Sequence, residues 1–195
     1  AMGDRAREEE PAVTATLIPL AESYQGNMYQ LEHRLKTYKS TVRKLRVKLH
    51  AGRTLESIEL DDTLRYTVQI EDQPPGNYVK AVQDILQTLE KKGHSVVRIK
   101  NYWPADDNYS GLNSVLRTPS GLSWELQFHT SASLKVQKAT RPLYEELRRS
   151  DTPPERKRTL FDEMTKAWNE VPIPLEVLQP QNLHAREQIK TRERP

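Results

Sequence analysis

Residues 123–130 alternate without interruption: Trp124, Leu126 and Phe128 are apolar, while Glu125, Gln127 and His129 between them are polar or ionisable. A period of two belongs to a strand with one face in a core and the other in a different environment. A second segment repeats the pattern, with Leu64, Tyr66, Val68 and Ile70 interleaved with Arg65, Thr67 and Gln69, and with Asp62 at its entrance. Two such strands predict a sheet with one apolar face and one polar, charged face. The polar face is where chemistry is to be sought.

Other elements follow from the same reading. Met28, Leu31, Leu35, Tyr38, Val42, Leu45 and Leu49 are spaced three and four apart, which predicts one long helix ending near Gly52. Val82, Ile85, Leu86 and Leu89 predict a second helix, capped by Gly93 after Lys91 and Lys92. A strand is expected from Ser95, with Val97 and Ile99 on one side and Arg98, Lys100 and Tyr102 on the other. A loop from Pro104 to Gly111 leads to a strand at 112–117, and Pro119, Ser120 and Gly121 form a turn into the strand at 123–130. Helices are expected near 144–149 and, after Pro153 and Pro154, at 155–170. The fold class is therefore α+β, with a mixed, mostly antiparallel sheet and helices packed on one face.

A chain of 195 residues suits one domain. Residues 1–19 carry the acidic run Glu8, Glu9, Glu10 and two prolines, and read as a flexible arm that starts with a remnant of cloning at Ala1, Met2 and Gly3. Residues 20–171 would form the domain, and 172–195 a proline-rich, charged extension, disordered or partner-binding. With no cysteine, the chain has neither disulfides nor thiolate metal sites. No apolar run approaches the ~20 residues of a membrane span, so no membrane association is expected. The net charge of +3 is too small to indicate a nucleic-acid binder by itself.

Three constellations carry chemistry. Arg34, Lys36, Ser40 and Lys44 follow R-x-K-x3-S-x3-K; on a helix, residues 36, 40 and 44 share a stripe, two ammonium groups flanking a hydroxyl, which suits a polyphosphate. A solvated basic helix face would have the same composition. Asp62 and Glu125, from different strands, form a carboxylate pair that could hold a hard cation, or a turn residue and a surface glutamate. Arg98 and Lys100 beside Tyr102 and Tyr109 could receive the phosphates and base of a nucleotide, as could an ordinary sheet surface. The histidines show no metal-like spacing, and there is neither a P-loop nor a nucleophile elbow.

Taken in order, RLKTYKSTVRK (34–44), DTLRYTV (62–68), RIKNYW (98–103), NYSGLN (108–113) and WELQFHT (124–130) resemble the synthetase domain of the RelA/SpoT-homologue family over about residues 28–150. The resemblance implies a nucleotidyltransferase-like fold and a Mg2+-dependent pyrophosphokinase that transfers diphosphate from ATP to the 3′-hydroxyl of a purine nucleotide. It implies ATP binding by Arg34, Lys36, Ser40 and Lys44, and metal binding and catalysis by Asp62 and Glu125. It also implies acceptor binding by Arg98, Lys100, Tyr109, Asn113 and Gln127, with Tyr109 stacked on the base. Arg65, Thr67, Asn113 and His129 depart from the family pattern, all on the acceptor side. The continuation F-H-T-x2-S, with Tyr144, Glu145 and Glu146, resembles the branch found in secreted enzymes and interbacterial toxins. That branch implies an adenine acceptor, a (p)ppApp product, an immunity protein as partner and delivery into a target cell's cytoplasm. The alternatives are a cytoplasmic (p)ppGpp synthetase using GDP or GTP, and a nucleic-acid-binding module without catalysis.

Overall fold

The computed structural model describes residues 2–54, 58, 60–103, 108–179 and 183–190. Helix α1 (Met2–Glu22) is followed by strand β1 (Asn27–Tyr29), a single 3-10 turn (Leu31–His33) and helix α2 (Tyr38–His50). Then come β2 (Arg65–Gln69), α3 (Asn77–Lys91), β3 (Ser95–Asn101), β4 (Leu112–Arg117), β5 (Ser123–His129), α4 (Ser131–Leu147), α5 (Pro154–Asn169) and β6 (Glu187–Ile189). The six strands form one sheet in the order β1-β2-β5-β4-β3-β6. The β1–β2, β4–β5 and β3–β4 pairs are antiparallel, and β2–β5 and β3–β6 are parallel. This is the expected α+β fold with a mixed, mostly antiparallel sheet.

Alternation sorts the sheet into two faces. Tyr66, Val68, Trp124, Leu126 and Phe128 are buried under α1 and α3, whose Leu17, Ala21, Val82, Ile85 and Leu89 join them in the main core. Helices α4 and α5 rise beside the other face, where Trp168 of α5 meets Tyr109 edge-on. Burying one such large apolar side chain stabilises a fold by about 1.5–3 kcal/mol, so this core outweighs any single polar contact described below.

Several sequence expectations are corrected. Residues 1–19 are no loose arm: Ala6, Val13, Leu17 and Ala21 form a buried helical stripe, while Pro11 and Pro19 lie on the exposed side, where a helix tolerates a bend. The long helix from Met28 does not form either. Met28 pairs with Val68 in the sheet, and Gln30 adopts a left-handed conformation that breaks any helix before Thr37 caps α2. In β3 a bulge between Val96 and Arg98 shifts the alternation, so Val96 rather than Val97 is buried with Ile99.

Helix α4 starts at Ser131 instead of near Tyr144, because Thr130 and Ser133 form a reciprocal capping box. The C-terminal extension is partly built into the domain. Val177 and Leu183 join the core, and β6 adds to the sheet edge, clamped by buried Asn101, whose amide donates to Val177 O (2.6 Å) and Glu187 Oε1 (2.8 Å). Gly93 ends α3 as expected, with the His94 and Gly93 amides donating to Leu89 O and Glu90 O. Part of the expected 104–111 loop and the ends of the extension, residues 104–107, 180–182 and 191–195, lie outside the described residues.

Candidate functional site

Strand register assembles the polar face into rows, because directly paired residues share a face. One row runs Tyr29, Thr67, Gln127, Asn113, Lys100, Gln188 across all six strands. The adjacent row runs Arg65, Glu125, Val115, Arg98. Five sequence positions chosen for chemistry, Glu125, Gln127, Asn113, Arg98 and Lys100, therefore meet on one surface.

Asp62 stands at one side of this surface. Lys36, only 9% exposed at its side chain, donates to Asp62 Oδ2, and Lys44, 37% exposed, lies 2.8 Å from Oδ1. Burial pushes the Asp62 carboxyl up, but the two ammonium groups more than offset it and hold the pKa below the ordinary 3.8. Lys36 precedes the cap of α2, so the anticipated stripe is built from a loop residue and a helix residue that converge on one carboxylate. Ser40 is on the first turn, where its amide and hydroxyl meet the Thr37 side chain (3.3 and 3.0 Å). Arg34 stands apart from this cluster: its guanidinium binds Glu10 of α1 and donates to Leu31 O at 3.0 Å.

Glu125 lies between this ionic cluster and a cleft of about 370 Å3. Burial raises its pKa above the ordinary 4.5; the hydrogen bond from Gln127 Nε2 opposes that rise and the negative charge of Asp62 adds to it. A carboxyl group tuned upward in this way is a stronger base than an exposed one. Beyond it Arg98 pairs with Asp61 at 2.6 Å, and the Lys100 pKa is pushed down by burial and by the neighbouring Arg98 and Lys190.

The cleft floor is Arg65, Thr67, Glu125, Gln127 and Asn113, and its wall includes Lys138, Arg141 and Tyr144 of α4. Tyr109 lines it but is 7% exposed, its ring packed edge-on against Tyr102, His129 and Trp168 at 5.3–5.7 Å. That aromatic packing leaves little of either ring face open for a base; Tyr29 and Tyr144 line the same cleft and are half-buried. The Tyr109 hydroxyl lies 2.8 Å from Asn113 Oδ1 and 3.0 Å from His129 Nε2, and His129 Nδ1 lies 2.9 Å from Ser133 Oγ. His129 is fully buried and its pKa is lowered by that burial to about 3, so it is neutral at physiological pH. Gly111 makes room for it, since a Cβ there would fall 2.6 Å from the imidazole Cε1.

Sequence reasoning brought forward neither Lys138 nor Arg141 of α4, nor Arg65 as a site residue. Residues 137, 138, 141, 144 and 145 recur at helical spacing, a signal that becomes legible once Thr130 is taken as a helix cap. Among the described residues no three acidic or histidine side chains gather as a metal cage. Any cation here would rest on Asp62, Glu125 and oxygens supplied by a ligand, an arrangement common for Mg2+.

No family model matches the chain, and no curated protein matches it in sequence. Solved structures do match its fold. The Type VI effector Tas1, in complex with its immunity protein, superposes with a TM-score of 0.58 at 17% identity, covering 87% of this chain and 94% of its own. The small alarmone synthetase 1 from Bacillus subtilis, bound to its product pppGpp, gives 0.55 at 19% identity, covering 84% and 86%. The small alarmone synthetase 2 from the same organism gives 0.58 at 16%, covering 84% and 87%. The chain thus has the fold of the RelA/SpoT-like alarmone synthetases.

Proposed function

We propose that this chain is an ATP-dependent nucleotide pyrophosphokinase that transfers the terminal diphosphate of ATP to the 3′-hydroxyl of a purine nucleotide. The observation that carries this reading is the position of Glu125, a carboxylate with a raised pKa, between a lysine–aspartate cluster and a cleft walled by cations. In the reaction the acceptor's 3′-oxygen forms a bond to the β-phosphorus, the bond from that phosphorus to the α-bridging oxygen breaks, AMP leaves, and the hydroxyl proton passes to Glu125. Gln127 holds the receiving carboxylate in place. Lys36 and Lys44, preset by Asp62, would turn to the donor phosphates, and Arg98 and Lys100 would stabilise charge on the transferred group. Ser40, on the first turn of α2, would add a hydroxyl donor. In this reading Arg34 would have to exchange Glu10 for the donor nucleotide.

Asp62 and Glu125 would hold Mg2+ together with substrate phosphates, and the negative charge of Asp62 felt by Glu125 favours a cation beside the pair. The ion would supply Lewis-acid neutralisation of phosphate charge. On the acceptor side, Asn113 and Gln127 would contact the base, with Tyr109 enclosed behind Asn113 and with Lys138 and Arg141 near the acceptor's phosphates. The altered surroundings at Thr67, Asn113 and His129 favour adenine nucleotides and a (p)ppApp product. The likeness to an effector bound to its immunity protein supports delivery into a target cell and neutralisation by such a partner.

The test is incubation with ATP, Mg2+ and each of AMP, ADP, GDP and GTP, with products identified by mass. Adenosine products should dominate between equal ADP and GDP. Predominant ppGpp would replace the acceptor while keeping the reaction; no ATP-to-AMP conversion with any nucleotide would overturn the reaction itself.

A further inference from the structure

Behind the cleft runs a chain of buried polar groups whose hydrogen-bond directions can be assigned from one end. The Thr130 backbone N–H, at the cap of α4, donates to Ser133 Oγ at 2.9 Å. With Asn113 Oδ1 accepting from the Tyr109 hydroxyl, that hydroxyl's oxygen can only accept from His129 Nε2–H, and Nδ1 then accepts from Ser133. Along this path Tyr109 and His129 each donate and accept in turn, while the Ser133 hydroxyl also lies 3.0 Å from Thr130 O, a second acceptor for its proton. Such one-way chains strengthen one another in a dry interior. The chain engages the Asn113 oxygen and leaves its NH2 group without a partner among the described residues. Gln127, opposite Asn113 in the register, is the complement: its nitrogen is spent on Glu125, and its oxygen has no partner among the described residues.

Resting on the proposed nucleotide chemistry, we propose that His129 is a positioning residue: acting through Tyr109, it fixes Asn113 so that the Asn113 nitrogen and the Gln127 oxygen form a donor–acceptor pair for the edge of the acceptor base. Both residues line the cleft, and paired residues on one sheet face stand about 5 Å apart at Cβ, within the span of two neighbouring base atoms once the side chains converge. Adenine offers a donor beside an acceptor on both its edges. Guanine does so on its Watson–Crick edge but presents two acceptors, O6 and N7, on its N7 edge. Where the base meets the pair through its N7 edge the pair selects adenine, and that selection depends on a histidine that touches no substrate.

The experiment separates the two ring nitrogens. In His129→Asn the amide imitates Nδ1 and keeps Ser133 but loses Tyr109; in His129→Gln it imitates Nε2 and restores the bond to Tyr109. Tyr109→Phe removes only the hydroxyl. His129→Asn and Tyr109→Phe should each raise the acceptor KM about tenfold and narrow the ADP-over-GDP preference, with the KM for ATP unchanged. His129→Gln should stay within about threefold of wild type, and the Asn/Phe double variant should be no worse than its worse parent. An unchanged acceptor KM in Tyr109→Phe, equal behaviour of the Asn and Gln variants, or additive losses would overturn the relay. If wild type transfers diphosphate to no nucleotide, the reaction reading fails. Equilibrium binding of ADP and GDP to the same five proteins then tests the relay by the same pattern, and a wild type that binds neither overturns both.

Discussion

The two sides of Glu125 are built on different physics. On the Lys36–Asp62–Lys44 side, charges are paired: Asp62 and Lys36 are largely enclosed, and the more exposed Lys44 comes from α2, a helix that buries none of its residues. On the Asn113–Tyr109–His129 side, polar groups are neutral and hydrogen-bonded to one another inside an aromatic cluster that ends at the cleft with Asn113. A half-exposed ammonium such as that of Lys44 exchanges partners cheaply, because water and salt compensate either state. A buried neutral network cannot rearrange without orphaning a group, at a cost of about 1–3 kcal/mol each. The first design suits a polyphosphate that must enter, react and leave; the second suits the recognition of one shape.

Substitutions should separate these sides. Glu125→Gln, at the junction, should lower kcat by about 10³-fold while leaving both nucleotide affinities and the melting temperature near wild type. Turnover near the wild-type rate at saturating Mg2+ would remove Glu125 from the chemistry. Lys44→Ala should lower kcat/KM for ATP by about 10²-fold and leave the acceptor KM alone. Lys36→Ala, which strips a more enclosed partner from Asp62, should combine a similar donor defect with a measurable fall in melting temperature. Equal effects on the two nucleotides would dissolve the distinction between the sides. Lys138→Ala or Arg141→Ala should raise the acceptor KM about tenfold with no effect on ATP, read from the same initial-rate matrix.

An effect on stability rather than on turnover lies in pH. His129 has an ordinary pKa of 6.5, lowered by burial to about 3, so below pH 6.5 the unfolded chain binds a proton that the folded one refuses. Stability should therefore fall as pH drops, by up to about 1.4 kcal/mol per unit, until pH approaches 3. Asp62, its folded pKa depressed, adds a loss in the same direction as pH falls through that depressed value. Urea denaturation between pH 7 and 5 should show this slope, and His129→Gln should flatten it.

Local signals were legible wherever one element decided its own structure. The alternation of β5, the bounds of β4 and the prolines before α5 suffice to find those elements. Context overrode them elsewhere. The apolar spacing from Met28 to Leu35 is helical, yet pairing with β2 takes those residues, through Met28–Val68 and a bridge between Leu35 and Leu64. Two prolines and an acidic run disguised α1, whose packing against the sheet decides its structure. In the site, residues fixed by strand alternation, Glu125, Gln127 and Asn113, share the cleft because the period of two fixes their face. Arg34 depended on a helix that does not form, and it lies with α1. The α4 cations needed the Thr130 cap, a signal of four residues within a segment legible as a strand end.

The position of β5 in the sheet has a consequence for how the molecule comes into being. It is the fifth strand in sequence but stands third in space, between β2 and β4. A nascent chain extended only to Gly121 lacks the strand that joins β2 to β4 in the sheet, and it lacks Glu125, Gln127 and His129 as well. Closing such long-range pairs is slow relative to local hairpins. Assembly of the sheet and the onset of reactivity then coincide in one event, the insertion of a single seven-residue strand. A backbone cut in the 119–121 turn would divide the polypeptide into two inert halves, and activity regained on mixing them would time that insertion directly.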